Sequence, residues 1–374
     1  MTDRKVAEVF PPGEFIKEEL EARNWSQVDL AEIIGRNPNV INELIMGKRS
    51  ITPETAKALG DAFGTSAQYW MNLESMYQLW RVKDTDTAIA RRAKLYEIAP
   101  VKEMVRRQWI EPSQNIEALE KRLLDFFDLK TPDDKIRFPY AARKSSKEYS
   151  PAQVAWFFRA RQLASAVSAR PFSVQSFNAG LTRLRGLLVN ARDIRQIPEV
   201  LAQAGIRFLI LEHLPHTKID GAAFWLDRGK PVIALSMRYD RIDYFWFTLS
   251  HELGHIKRRD GLEAVILDIE LVGKEGEPSE RMLDSERQAN SFATEFLIDQ
   301  SQLRDFIARV HPLYSARKIL DFAAHNKAHP GIVVGQLQFR KELKWESYRR
   351  MLEKVKHIIT ETALTDGWGH TVAA

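Results

Sequence analysis

Residues 241–258 read RIDYFWFTLSHELGHIKR. Phe245, Trp246, Leu249 and Leu253 recur at helical spacing, so the segment is expected to be a long helix with one buried face. Within it stands His251-Glu252-Leu253-Gly254-His255. Histidines at i and i+4 lie one turn apart on the same face, so both imidazoles can reach one metal ion. Glu252 between them can accept a proton from a water that zinc makes acidic near neutrality. The pattern points to a zinc hydrolase.

A catalytic zinc uses three protein ligands plus water, whereas a structural one uses four. The chain has no cysteine, so the third ligand must be His, Asp or Glu. A second helix is expected over Glu280–Ile298, with Ala289, Phe292, Ala293, Phe296 and Leu297 as its buried stripe. Glu286 lies about one turn before the small residues of that stripe and can face the metal. Glu280, Asp284 and Glu295 compete with it on sequence alone. A donor for the developing oxyanion is also needed. Tyr244, His213, His216, His329 and Arg258 are the candidates, unranked.

Ahead of this helix the pattern is that of strands. Ile206–Leu211, Ala222–Leu226 and Val232–Leu235 are short apolar runs punctuated by glycine, proline and aspartate. Pro330–Phe339 reads either way: its β-branched run suggests a strand, yet proline can open a helix. Lys341–Ala374 is expected to be one amphipathic helix with a frayed end. Residues 81–195 read as further helices, with polar breaks near 131–134 and 143–151.

A separate constellation lies at the start. Trp25–Gly47 reads WSQVDLAEIIGRNPNVINELIMG. Ser26 is a good N-cap for a helix through Ile34, with Leu30, Ala31 and Ile34 on one face. Gly35 suits a tight turn. Pro38 belongs in the first turn of the next helix, whose core face is Val40, Ile41, Leu44 and Ile45. Gly47 ends it, and Thr52-Pro53-Glu54 starts another. Two short helices around a glycine turn make the motif that places its second helix in the major groove. That helix offers Asn39, Asn42 and Glu43 to solvent, with Arg36 and Asn37 just before and Lys48 and Arg49 just after. Asparagine reads adenine, while arginine and lysine hold phosphate or guanine.

The 374 residues are 44% apolar and 28% charged, which is globular composition and excludes wholesale disorder. The lack of cysteine excludes disulfides, thiolate metal sites and cysteine nucleophiles, and fits a reducing compartment. The opening MTDRKVAEVFPPGEF has no apolar h-region, and no uncharged apolar stretch approaches 18 residues. A cytoplasmic protein without a membrane partner is therefore expected. Net charge is −4 over residues 1–80, +9 over 81–200 and zero over 201–374. The basic middle is either a solvated helical surface or a docking face for nucleic acid or an acidic protein.

Two family resemblances follow from these motifs. Val9–Lys83 resembles the Xre-family helix-turn-helix in the variety found in HigA-type antitoxins. The resemblance runs through Pro12-Gly13-Glu14, Trp25-Ser26-Gln27, Leu30-Ala31, Gly47-Lys48-Arg49, Ile51-Thr52 and Tyr69-Trp70-Met71-Asn72-Leu73. It implies DNA contacts from Gln27 and from the face between Asn37 and Asn42. Gly205–Asp299 resembles the ImmA/IrrE zinc metallopeptidases through Asp243–Leu249, His251–His255 and Glu286-Arg287-Gln288-Ala289-Asn290-Ser291-Phe292-Ala293. In that family the leading Glu of the second stretch is the third zinc ligand, which implies Glu286. Ile298-Asp299 departs from the family, where an apolar residue is usually followed by proline.

Together these readings give an α+β, mostly helical chain. An all-α helix-turn-helix domain spans 1–83, a basic helical connector 84–200, a zincin-like domain with a small sheet 201–340, and a helical tail 341–374. The expected function is a regulatory zinc-dependent endopeptidase carrying a DNA-binding module. Its substrate would be a repressor or antitoxin, or the chain's own linkers near Asp84–Ala88 or Arg143–Ser150. The alternative is a HigA-like antitoxin or repressor whose peptidase-like part is a sensor or toxin-binding body without turnover. Either would bind operator DNA as a homodimer, with half-sites roughly 34 Å apart.

Overall fold

The computed structural model describes residues 9–82, 88–131, 134, 149–262, 266–272 and 284–366. The chain divides into two compact units, residues 1–90 and 91–374.

The first unit is all-helical: α1 (Pro12–Arg23), α2 (Gln27–Ile33), α3 (Pro38–Ile45), α4 (Pro53–Phe63) and α5 (Ala67–Arg81). Each boundary follows from local chemistry. Ser26 Oγ accepts from Asp29 N–H while Asp29 accepts from Ser26 N–H, a reciprocal cap that opens α2. Asn37 caps α3 and Thr52 caps α4, each with proline in the first turn. Gly35, between α2 and α3, has φ of 64°, a conformation that glycine adopts without Cβ strain. Ile16, Leu30, Ala31, Ile41, Leu59 and Trp70 are fully buried where the helices meet.

The second unit begins within α6 (Ala88–Ile98) and continues with α7 (Val101–Arg106), α8 (Ile116–Phe127), α9 (Pro151–Ala166), α10 (Val174–Gly186) and α11 (Ile197–Gln203). Then come β1 (Arg207–Ile210), β2 (Ile219–Trp225), β3 (Pro231–Leu235), α12 (Ile242–Arg258), β4 (Ile266–Ile269) and α13 (Asp284–Leu297). The last elements are α14 (Gln300–Val310), α15 (Ala316–His325), α16 (Pro330–Phe339), α17 (Lys356–Ile359) and β5 (Leu364–Thr365). The strands form one mixed sheet in the order β4-β2-β3-β1-β5. β1 runs parallel to β3 and β5, and β2 antiparallel to β3 and β4.

Both faces of the sheet are covered, and strand alternation decides what each touches. Leu209, Ala222, Phe224, Val232, Ala234 and Leu267 pack against Leu119, Trp156 and Phe157 of α8 and α9. Phe208, Ile210, Ala223, Ile233 and Leu235 pack against α10, α11 and α12. The helices after residue 91 thus form a layer on the sheet. Burial on both sides explains why β1 to β3 are continuous apolar runs.

The structure settles Pro330–Phe339 as a helix, capped by His329 with Pro330 at its first position. It corrects the C-terminal expectation. Residues 341–366 hold a short 3-10 turn, the one-turn α17 and the edge strand β5, not one amphipathic helix. Val355, Ile359 and Ala363 are buried, and Asp240 Oδ1 accepts from Val355 and Lys356 N–H. Tertiary contacts therefore outweigh the local helical pattern. Asp299, at the departure from the family pattern, caps α14 by accepting from Ser301 and Gln302 N–H. Of the linkers considered for self-cleavage, residues 84–87 and 143–148 lie outside the described residues. No helix among the described residues is long and apolar enough to cross a membrane.

Candidate metal centre

α12 lies on the sheet with its histidine turn fully enclosed: His251, Glu252 and His255 have no solvent exposure. α13 crosses it closely at Gly254, where a Cβ would stand 3.1 Å from Ala289 Cα. That approach carries Glu286 and Asn290, three residues before and one after Ala289, to the histidine pair.

The two Nε2 atoms converge to 2.9 Å. Glu286 Oε2 is 3.4 Å from His251 Nε2, and Oε1 is 3.7 Å from His255 Nε2. Each outer nitrogen is held in place: His251 Nδ1 by Asn290 Oδ1 at 2.9 Å, and His255 Nδ1 by Asp260 Oδ2 at 3.1 Å. Acceptors on Nδ1 put the proton there and leave both Nε2 lone pairs facing one point, as metal-bound histidines require. Arg258 donates to Asp260 Oδ2 at 3.0 Å and so supports that anchor.

One further group faces the same point. Asp268 Oδ2 on β4 lies 3.4 Å from His251 Nε2 and 3.9 Å from His255 Nε2. The donor atoms of His251, His255, Asp268 and Glu286 all fall within 4.8 Å of one another. Asp268 Oδ2 and both Glu252 carboxylate oxygens are buried without a hydrogen-bond partner among the described residues. A buried cluster of carboxylates with orphaned oxygens beside two anchored imidazoles is short of a cation. The nitrogen and oxygen donors are those zinc takes, so the residues fit that ion.

Electrostatics agree. Burial disfavours protonation of His251, yet Asp268 and Glu286 outweigh it and push its pKa up. Burial likewise opposes the charge on His255, but hydrogen bonds to Asp260 and Glu286 push it up to about 10. Glu252 is raised well above its ordinary value, by burial first and by the Asp268 carboxylate beside it second. Gly221 of β2 is what makes room for it: a Cβ there would stand 2.3 Å from Glu252 Oε1.

Of the sequence candidates for third ligand, the fold brings Glu286 to the histidines. Asp284 and Glu295 are exposed, Asp284 paired with Arg287 and Glu295 accepting from Gln300 N–H. Glu280 lies outside the described residues. Of the oxyanion candidates, Arg258 serves Asp260, and His329 caps α16 and pairs with Glu353. His216 is exposed, and His213 is half-buried with its pKa lowered by burial. Tyr244 is half-buried beneath the Arg241 guanidinium. Sequence reasoning missed Asp268, Asn290 and Asp260. The signal for Asp268 was a lone carboxylate inside the apolar run Val265-Ile266-Leu267-Asp268-Ile269.

In the N-terminal unit, Arg36, Asn37, Asn39, Asn42, Lys48 and Arg49 are all exposed around α3, and Gln27 is partly exposed at the start of α2. Asn37 Oδ1 is engaged as the cap of α3, and Arg49 Nε pairs with Glu43 at 2.7 Å.

Comparison with known proteins matches both parts. Residues 16–70 match the family described as helix-turn-helix, and residues 202–316 match the IrrE N-terminal-like domain of a peptidase family. An uncharacterised helix-turn-helix-type transcriptional regulator of Escherichia coli, YddM, is 34% identical over 20% of this chain and 79% of its own length. Virulence-associated protein I of Dichelobacter nodosus is 39% identical over 18% of this chain and 64% of its own length. Among solved structures, Pseudomonas aeruginosa antitoxin HigA with its higBA promoter is 34% identical, covering 24% of this chain and 92% of that one, with a TM-score of 0.19. A HigA-family antidote protein of Coxiella burnetii is 34% identical, covering 19% and 79%, also with a TM-score of 0.19. The chain therefore belongs, through its N-terminal unit, to the Xre-like helix-turn-helix regulators, and it joins to that unit an IrrE-like peptidase domain.

Proposed function

We propose that the chain is a zinc-dependent endopeptidase that carries its own operator-binding module and cuts a repressor or antitoxin, its own chain included. The observation that carries the reading is the convergence of His251 Nε2, His255 Nε2 and Glu286 beside the buried Glu252. His251, His255 and Glu286 would hold the ion. Zinc bound there would supply Lewis-acid polarisation of a scissile carbonyl and of water. Glu252 takes the proton from the attacking water and returns it to the leaving amine, and full burial strengthens its effect on nearby charge. Asn290 and Asp260 keep the histidine tautomers fixed through each step.

The DNA-binding part is proposed to act through Gln27, Arg36, Asn37, Asn39, Asn42, Lys48 and Arg49 as a homodimer on a palindromic operator. The match of residues 16–70 to the helix-turn-helix family supports this use of the fold. A second reading, a regulator whose peptidase-like body does not turn over, is favoured by one observation: Asp268 stands on the metal side of His251.

The test is cleavage by the wild type and by Glu252→Gln, both loaded with zinc and mixed with a candidate repressor or antitoxin. Fragments from the wild type alone support the peptidase. Full regulatory function in Glu252→Gln, with no fragments from either protein, overturns it.

A further inference from the structure

We propose that Asp268 is a fourth protein ligand of the zinc centre, so that the resting site is closed and opens only when Asp268 withdraws. This rests on the zinc reading above and specifies how that site is regulated.

The placement argues for a ligand and not for another anchoring carboxylate. The outer Nδ1 atoms already have their acceptors, Asn290 and Asp260. Asp268 faces the opposite edge of the imidazoles, the Nε2 side, where the ion must sit. A tetrahedral zinc with arms of about 2.0–2.1 Å has ligand–ligand edges of about 3.3–3.4 Å. The Nε2–Nε2, Nε2–Asp268 and Nε2–Glu286 separations run from 2.9 to 3.9 Å, on both sides of that value. Four donors at these spacings match a closed site; three plus water match an open one.

The fold holds Asp268 there. It pairs with Gly221 across β2 and β4, and alternation turns it to the face of the sheet on which α12 lies while Leu267 turns to the other. A bulge between Ile219 and Gly221 sets this register. Asp220, the extra residue, accepts from Leu271 N–H at 2.7 Å and from Arg238 Nε at 2.8 Å, pinning the chain as it leaves β4. Asp268 also lies beside Glu252. As a fourth donor it would fill the coordination position that a catalytic zinc site leaves to water. Among the described residues β4 is an edge strand, bonded on one side to β2 alone, so Asp268 lies where the sheet is paired on a single side.

The test loads the full-length chain with one equivalent of cobalt(II) and follows its visible absorption while thiocyanate is added. It compares wild type, Asp268→Ala, Asp268→Asn and Glu286→Gln. The expected result is a wild-type band that thiocyanate does not move, and a band that shifts with thiocyanate in each variant. Asp268→Ala should also hold zinc at least about tenfold more weakly against a chelating indicator. Asp268→Asn preserves side-chain volume and keeps the comparison valid should the alanine variant not fold. A wild type that takes up cobalt and responds to thiocyanate as strongly as Asp268→Ala, with equal zinc affinity, overturns the role of Asp268 alone. A wild type that takes up no cobalt overturns the metal centre itself.

Discussion

Asn290→Ala should weaken zinc binding without touching a ligand. Asn290 Oδ1 accepts from His251 Nδ1–H at 2.9 Å, and His251 has no solvent exposure, so the variant removes the acceptor that the fold supplies to a buried N–H. The ring then has two courses. It can leave a buried N–H unsatisfied, which costs about 1–3 kcal/mol. Or it can move the proton to Nε2, where it blocks the metal. Loss of such an outer partner lowers metal affinity about 10–100-fold, or about 1.4–2.7 kcal/mol, in agreement with the first figure. Competition for zinc with a chromophoric chelator measures this directly. Asn290→Asp, which keeps an acceptor at that position, should bind at least as tightly as the wild type. If Asn290→Ala binds within about twofold of the wild type, the orientation of His251 does not depend on Asn290.

Three other outcomes follow from the same geometry. Gly221→Ala places a Cβ 2.3 Å from Glu252 Oε1, so the carboxylate must shift by about 1 Å, which should lower kcat/KM on the order of 100-fold while zinc content stays at the wild-type level; loss of zinc instead would contradict it. The Asp220 carboxylate is pushed up to about 6 by burial, against the pull of Arg238. The folded chain therefore holds a proton that the unfolded chain releases near pH 4, and this group's contribution to stability falls by about 2–3 kcal/mol as pH rises from about 4 to 6, then stays level. Urea midpoints of the metal-free protein at pH 4.5 and 6.5 should show that slope in the wild type and lose it in Asp220→Asn. On operator DNA, Asn42→Ala should cost about 1–3 kcal/mol at one base pair, and Lys48→Ala should weaken all sequences equally and reduce the salt slope by about one. Fluorescence anisotropy at several salt concentrations separates the two effects.

Patterns carried by a single element were legible in the sequence, and those assembled from distant segments were not. His251, Glu252 and His255 share one helix, so their spacing alone showed a common face. Ser26, Pro38 and Thr52 marked helix boundaries through chemistry internal to a few residues, and in the structure Ser26 and Thr52 cap α2 and α4 while Pro38 opens α3 behind its cap Asn37. Glu286 stood among four carboxylates until the crossing at Gly254 and Ala289 chose it. Asp268 needed more: a four-residue edge strand, its register with Gly221, and the bulge at Asp220. None of these has a periodic signal. The C-terminal segment shows the converse, where a helical pattern yielded to contacts made by Val355, Ile359 and Ala363 with the main core.

The histidine pair on α12 is expected to hold a zinc ion that Glu252 does not help to bind. Elemental analysis of the purified full-length protein tests it with the wild type, Glu252→Gln and His255→Ala. About one zinc per chain is expected in the first two and almost none in the third, because the third loses a ligand and Glu252→Gln loses only the general base. No zinc in the wild type, or the same amount in His255→Ala as in the wild type, would contradict it.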